Sequence, residues 1–185
     1  LLLPGSFSPP HKLHIQMLYD AKDFIEKKGY EVIGAYFSPV SDLYNKYGLV
    51  SFDHRVNMCE LICEKTDWIM VDKWELSQKT FPLHHNVVSH LLEEVNKIYP
   101  NVKVILVCGS DLLEGSSMHH VLEIGLVICV RRPYKKYEEY AQKLSEYYKD
   151  KFFIIDKNSS EEVSSSIIRS KIQKNQKIDN LTFNE

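Results

Sequence analysis

Six short apolar runs alternate with segments of helical period along this chain, and that alternation limits the folds open to it more than any other feature. The runs are Leu1–Leu3, Val32–Phe37, Trp68–Val71, Val102–Val107, Leu126–Val130 and Phe152–Ile155. Several are continuous rather than alternating, the pattern of strands buried on both faces of a parallel sheet. Between them, apolar residues recur every three or four positions. Lys12–Lys28 is the first such segment, and Phe52, Val56, Leu61 and Ile62 mark the second. Val87, Val88, Leu91, Leu92, Val95 and Ile98 form a third stripe, ending before Pro100. Tyr137, Tyr140, Ala141, Leu144 and Tyr148 mark a fourth, and a serine-rich polar stretch, Lys157–Ser166, leads into a last helix, Ser165–Lys174. Strands alternating with helices predict an α/β fold: a doubly wound, Rossmann-like parallel sheet of about six strands with helices on both faces. With 185 residues and neither repeat nor linker, the chain predicts one domain over 1–185.

In sheets of this kind ligands bind outside the carboxyl ends of the strands, at the switch point. The opening strand leads there through Pro4-Gly5-Ser6-Phe7-Ser8-Pro9-Pro10-His11, and a helix follows. Backbone N–H groups, a helix N-terminus and two imidazoles then meet at one edge, which suits a nucleotide phosphate. Gly5 lets the chain turn sharply and approach a ligand, and Ser6 offers a hydroxyl. His14 shares the apolar stripe of Met17, Leu18, Ala21, Phe24 and Ile25, so it lies where the helix meets the sheet.

Net charge is −2, so no global basic field points to nucleic acid, and countercharges for an anionic ligand must be local. No apolar run approaches the roughly 20 residues that span a bilayer. Cys59 and Cys63 lie one helical turn apart among apolar neighbours, and Cys108 and Cys129 sit in apolar strands. They read as buried thiols of a reducing compartment, cytoplasmic or nuclear, not as a disulfide framework. His84, His85, His90, His119 and His120 match no standard zinc spacing, so no metal site is expected.

Further segments carry candidate chemistry. Gly109 and Asp111 follow an apolar strand, where a carboxylate can accept both hydroxyls of a ribose or simply cap a helix. Ser164, Ser165 and Ser166 precede the last helix and form a second anion cradle, with Arg169 placed to fork onto phosphate oxygens. Taken alone, Lys46 reads as a solvated loop lysine and Trp74 as a core residue.

Taken together, these segments resemble the eukaryotic-type nicotinamide (nicotinate) mononucleotide adenylyltransferases of the nucleotidyltransferase superfamily. Gly5-Ser6-Phe7-Ser8-Pro9 through His14 resembles the signature after the first strand, with Leu13 where many members have glycine. Ser38-Pro39-Val40-Ser41-Asp42-Leu43-Tyr44-Asn45-Lys46-Tyr47-Gly48-Leu49 resembles the loop after the second strand, and Val71-Asp72-Lys73-Trp74-Glu75 the tryptophan-bearing loop. Cys108-Gly109-Ser110-Asp111-Leu112-Leu113 resembles the ribose turn, Gly125–Val130 followed by Arg131 the fifth strand, and Val163-Ser164-Ser165-Ser166-Ile167-Ile168-Arg169 the closing motif, with serine for threonine. The stretch from Glu114 to Gly125 is shorter than in that family and lacks its second tryptophan.

The resemblance implies adenylyl transfer from ATP to the mononucleotide, with magnesium arriving on ATP. It implies His14, Lys46 and Arg169 as the catalytic set. Gly5, Ser6, Phe7, His11, Gly109, Asp111, Ser165 and Ser166 would hold ATP and its phosphates. Ser6, Lys46 and Trp74 would hold the mononucleotide, the indole stacking on its cationic ring. The alternatives are a non-catalytic nucleotide- or client-binding protein on this scaffold and a nucleotidyltransferase with another phosphate acceptor. A homo-oligomer stays open.

Overall fold

The computed structural model describes residues 1–113, 118–131, 137–156, 163–179 and 181–182. Parts of the short stretch before Gly125 and of the serine-rich stretch after Lys157 therefore lie outside the described residues. All six expected strands form: β1 (Leu2–Gly5), β2 (Ala35–Pro39), β3 (Ile69–Val71), β4 (Ile105–Gly109), β5 (Leu126–Val130) and β6 (Phe152–Ile155). They build one parallel sheet in the order β3-β2-β1-β4-β5-β6. The chain winds outward from β1 through β2 to β3, then returns to β4 on the other side. The carboxyl ends of β1 and β4 thus flank the switch point, where the connections leave in opposite directions and open a crevice.

Both faces are covered. On one face Leu3, Phe37, Val107 and Ile128 pack with Met17, Leu18, Ala21 and Ile25 of α1 (Lys12–Glu26) and Cys59 and Ile62 of α2 (Phe52–Cys63). On the other, Leu2, Leu106, Val127 and Phe152 pack with α3 (His84–Asn96), α4 (Met118–Ile124) and α5 (Glu138–Tyr147) through Val88, Leu91, Leu122 and Leu144. Neighbours such as Leu2 and Leu3 go to opposite cores, which is why the strands read as unbroken apolar runs. A third, small cluster joins Leu13 of α1 to Val163 and Ile168 of α6 (Ser165–Gln173).

Several expectations shift. β2 and β4 start three residues late, at Ala35 and Ile105 instead of Val32 and Val102, because the residues before them make approaches rather than ladder pairs. Leu61 is 61% exposed, so it does not mark the inner face of α2. That face runs Phe52, Arg55, Val56, Cys59 and Ile62, an arginine taking the place of an apolar residue. α4 was not foreseen; at seven residues it is too short to show a period. All four cysteines are free, and burial pushes the Cys59 thiol up and Cys63 up to about 11, so neither is a thiolate at neutral pH. Among the described residues no helix is long and apolar enough to cross a membrane.

Candidate active site

The turn after β1 is built around a phenylalanine. Phe7 has φ 43°, in the left-handed region that a bulky residue rarely occupies. It stays there because its ring is locked: 1% exposed, 5.1 Å from the Phe37 ring and 5.0 Å from His14, edge-on to both. The ring folds back over Gly5, where a Cβ would come within 2.9 Å of it. Glycine is needed at position 5 for that close approach. The left-handed turn itself falls on Phe7, contrary to the sequence reading. The side chain of Phe7 is core, so only its backbone could meet a ligand.

His11 caps α1 and is 2% exposed. Its backbone N–H donates to Nδ1 of His14 at 3.0 Å, and the two rings stack 3.7 Å apart. An Nδ1 that accepts a hydrogen bond leaves the proton of the neutral ring on Nε2. His14 is thereby a donor on its far side.

Two more segments close on this turn. In the 41–50 loop, Lys46 Nζ donates to Ser6 Oγ at 3.1 Å. The Ser8 hydroxyl donates to the Gly48 carbonyl (3.1 Å) and accepts from the Val50 amide (3.3 Å). Gly48 has φ +74°, and a Cβ there would lie 3.3 Å from Nε of Arg169. From α6, Arg169 donates to the Ser8 carbonyl at 2.6 Å and to Ser166 Oγ at 3.4 Å. Ser164 is the helix N-cap, accepting from the Ile167 amide at 3.2 Å. The Ser165 hydroxyl donates to the Pro9 carbonyl at 2.8 Å. Ser165 and Arg169 therefore also dock α6 on the turn. With two of its five N–H groups so engaged, Arg169 keeps others for an anion.

Below the loop lies a group that the sequence did not mark. Arg55 is 0% exposed and donates from Nε to Val50 O (2.8 Å), from one terminal nitrogen to Ser6 O (3.2 Å), and from the other to Asp42 Oδ1 (2.7 Å). Glu75, 2% exposed, accepts the Ser41 amide at 3.1 Å, and its burial pushes its carboxyl up to about 7. A charged residue on an apolar helical face was the available signal for Arg55.

Across the switch point, Gly109 ends β4, and Asp111 stands exposed in the 3₁₀ turn Ser110–Leu113 that follows. Trp74 is half-buried. Its indole lies parallel to the His90 ring of α3, 4.5 Å away, and packs on the second core cluster. One face of the indole is thus covered by His90. Another stacked pair, Tyr44 with Phe81, lies 5.3 Å apart, the two residues 39% and 38% exposed. Tyr44 belongs to the Lys46 loop, and Phe81, followed by Pro82 and Leu83, lies on the approach to α3. Three further histidines meet neighbours on or near the surface: the His85 and His120 rings meet at 5.2 Å, and His119 Nδ1 lies 2.8 Å from the Tyr148 hydroxyl. Among the described residues no group of three or more His, Cys, Asp or Glu is placed to hold a metal.

Residues 2–171 match the family model described as cytidylyltransferase-like. The chain is 38% identical over 192 residues to a nicotinamide/nicotinic acid mononucleotide adenylyltransferase of Oryza sativa subsp. japonica, covering 94% of this chain and 76% of that protein. A protein of the same name from Arabidopsis thaliana is 43% identical over 61% of this chain, which spans about half (49%) of its length. One from Saccharomyces cerevisiae is 42% identical over 64% of this chain, which spans 35% of it. A solved structure of Plasmodium falciparum nicotinic acid mononucleotide adenylyltransferase complexed with APC shares the fold, with TM-score 0.67 and 22% identity over 97% of this chain and 86% of that one.

Proposed function

Because this chain belongs to the cytidylyltransferase-like family, among its nicotinamide/nicotinic acid mononucleotide adenylyltransferases, we propose that it transfers the adenylyl group of ATP to that mononucleotide. The observation that carries the reading at the site is convergence. Lys46 from one loop and Arg169 from α6 both meet the turn after β1, the turn whose Phe7 ring packs on His14. Two cations and an imidazole N–H around backbone amides suit the crowded phosphates of two nucleotides.

In the reaction an oxygen of the mononucleotide 5′-phosphate attacks the α-phosphorus of ATP. A phosphoanhydride bond forms, the bond to the β-phosphate oxygen breaks, and pyrophosphate leaves. A phosphate monoester has its second pKa near ~6, so the nucleophile is already largely ionised at neutral pH. No general base is required, and the work of the protein is positioning and charge neutralisation. Nε2–H of His14, the Ser6 hydroxyl, Lys46 and the uncommitted N–H groups of Arg169 supply the donors. Asp111, exposed in the turn just after β4, is assigned as the acceptor for ribose hydroxyls. ATP enters as its magnesium complex, the ion held by phosphate oxygens and water. The flat ring of the mononucleotide is assigned to the exposed Tyr44–Phe81 stack, with Trp74, the aromatic that the resemblance names, as the competing face.

The test is direct. The chain is incubated with magnesium, ATP and each mononucleotide, and NAD or deamido-NAD is measured. Formation of either supports the reading. Binding without product would favour a non-catalytic scaffold, and product only with another phosphate acceptor would favour a different nucleotidyltransferase.

A further inference from the structure

We propose that Arg55 is a positioning residue that fixes the Lys46 loop to the phosphate turn, an inference that rests on the adenylyltransferase reading above. A fully buried arginine is rare, since a cation taken from water must be compensated in full, and an apolar residue would hold α2 on the sheet at less cost. Its three hydrogen bonds go to three places, none of them on α2. Nε binds the Val50 carbonyl, and the terminal nitrogens bind the Ser6 carbonyl and Asp42. Asp42 and Val50 bracket the segment that carries Lys46, while Ser6 is the residue that Lys46 reaches. Residues 42–48 are all exposed, so the loop has no core of its own to set its path.

The pinning is reinforced from both sides. The second oxygen of Asp42 accepts the Phe52 amide at the start of α2 (3.0 Å), and the guanidinium lies 5.4 Å from the Phe52 ring centroid. At the loop entrance Glu75 takes the Ser41 amide. Arg55 is closed off from solvent. What it determines is the span between two fixed points, and hence where the Lys46 ammonium stands relative to the turn. A lysine at position 55 has one nitrogen and cannot hold three acceptors in a planar fork.

The test compares Arg55→Lys and Asp42→Ala with the unaltered chain, each with Lys46 present and on a Lys46→Ala background. If Arg55 acts through Lys46, kcat/KM falls about 10-fold or more in either single variant, but less than about 2-fold on the Lys46→Ala background. Hydrogen exchange over 42–50 quickens by about 10-fold, while the amides of β1 and β4 keep their protection. Equal losses on both backgrounds, or unchanged exchange in the loop, overturn the proposal. Should Arg55→Lys not fold, Asp42→Ala, at an exposed position, decides by the same readings. Should the unaltered chain make no dinucleotide, the adenylyltransferase reading falls, and loop exchange alone then supports or overturns the role of Arg55.

Discussion

The imidazole of His14 is oriented from behind. The His11 amide occupies Nδ1, and stacking on His11 fixes the ring plane, so the donor Nε2–H is held in a preset orientation. Removing one preorganised donor costs about 3–4 kcal/mol in the transition state, so His14→Ala should lower kcat by about 10²–10³ while melting normally. Near-normal turnover in that variant would remove His14 from the site. The aromatic residues give a paired prediction. Phe81 is exposed and Trp74 is packed, so their truncations should fail differently. Phe81→Ala should raise KM for the mononucleotide about 2- to 30-fold, the worth of a cation–π contact of ~0.5–2 kcal/mol, with little change in Tm. Trp74→Ala should cost about 3 kcal/mol of stability, a fall of roughly 6–12 °C for a domain of this size, with KM unchanged in the folded fraction. A thermal melt and a KM measurement on both variants settle which aromatic meets substrate.

Among the elements, the 41–50 loop and α6 depend on each other through Gly48. Its positive φ lets the loop turn, and its missing Cβ leaves room for the Arg169 guanidinium 3.3 Å away. Gly48→Ala therefore asks for two adjustments at once: a left-handed alanine, costing ~1–2 kcal/mol, and a shift of Arg169. Because Lys46 and Arg169 flank that contact, kcat/KM should fall by about 5- to 30-fold if the strain is relieved by moving the loop. Retained kcat/KM in Gly48→Ala, measured by initial rates, would mean that the loop and α6 act independently. The same coupling, with the bonds of Ser165 and Arg169, holds α6 on the turn although its own apolar anchor is small, Ile168 against Leu13 and Val163.

At the scale of the whole molecule, the site draws on stability through Glu75. Its carboxyl titrates near 7 in the folded chain, against 4.5 for the ordinary group, chiefly because it is buried. Between those values the folded state holds a proton that the unfolded state has lost. Stability from this residue is therefore highest below about pH 4.5 and declines as pH rises to about 7, beyond which it is level. The full swing is about 3 kcal/mol. Glu75→Gln keeps an oxygen for the Ser41 amide and removes the titration. Denaturant unfolding at intervals from pH 5 to 8 should give a flatter profile for Glu75→Gln than for the unaltered chain. Parallel profiles would show that the carboxyl is ionised throughout.

The alternation of apolar runs and helical stripes was enough to determine the class of fold, all six strands and both covered faces, because period and burial are properties of a single segment. The opening turn, the Lys46 loop and the serine-rich start of α6 could likewise be picked out, by residue type and by likeness to a family. What the residues could not say is which segments touch. Ser8 binds Gly48 across 40 positions, and Ser165 binds Pro9 across 156. Those contacts exist only because winding outward from β1 and back to β4 brings the carboxyl ends together. The same winding decided that Trp74 would lie against His90, that Phe81 would meet Tyr44, and that an arginine on the inner face of α2 would find three acceptors. Side-chain chemistry is written residue by residue, but the partner that turns a lysine or an aromatic ring into part of a site comes from distant sequence, and only the closed tertiary structure supplies it.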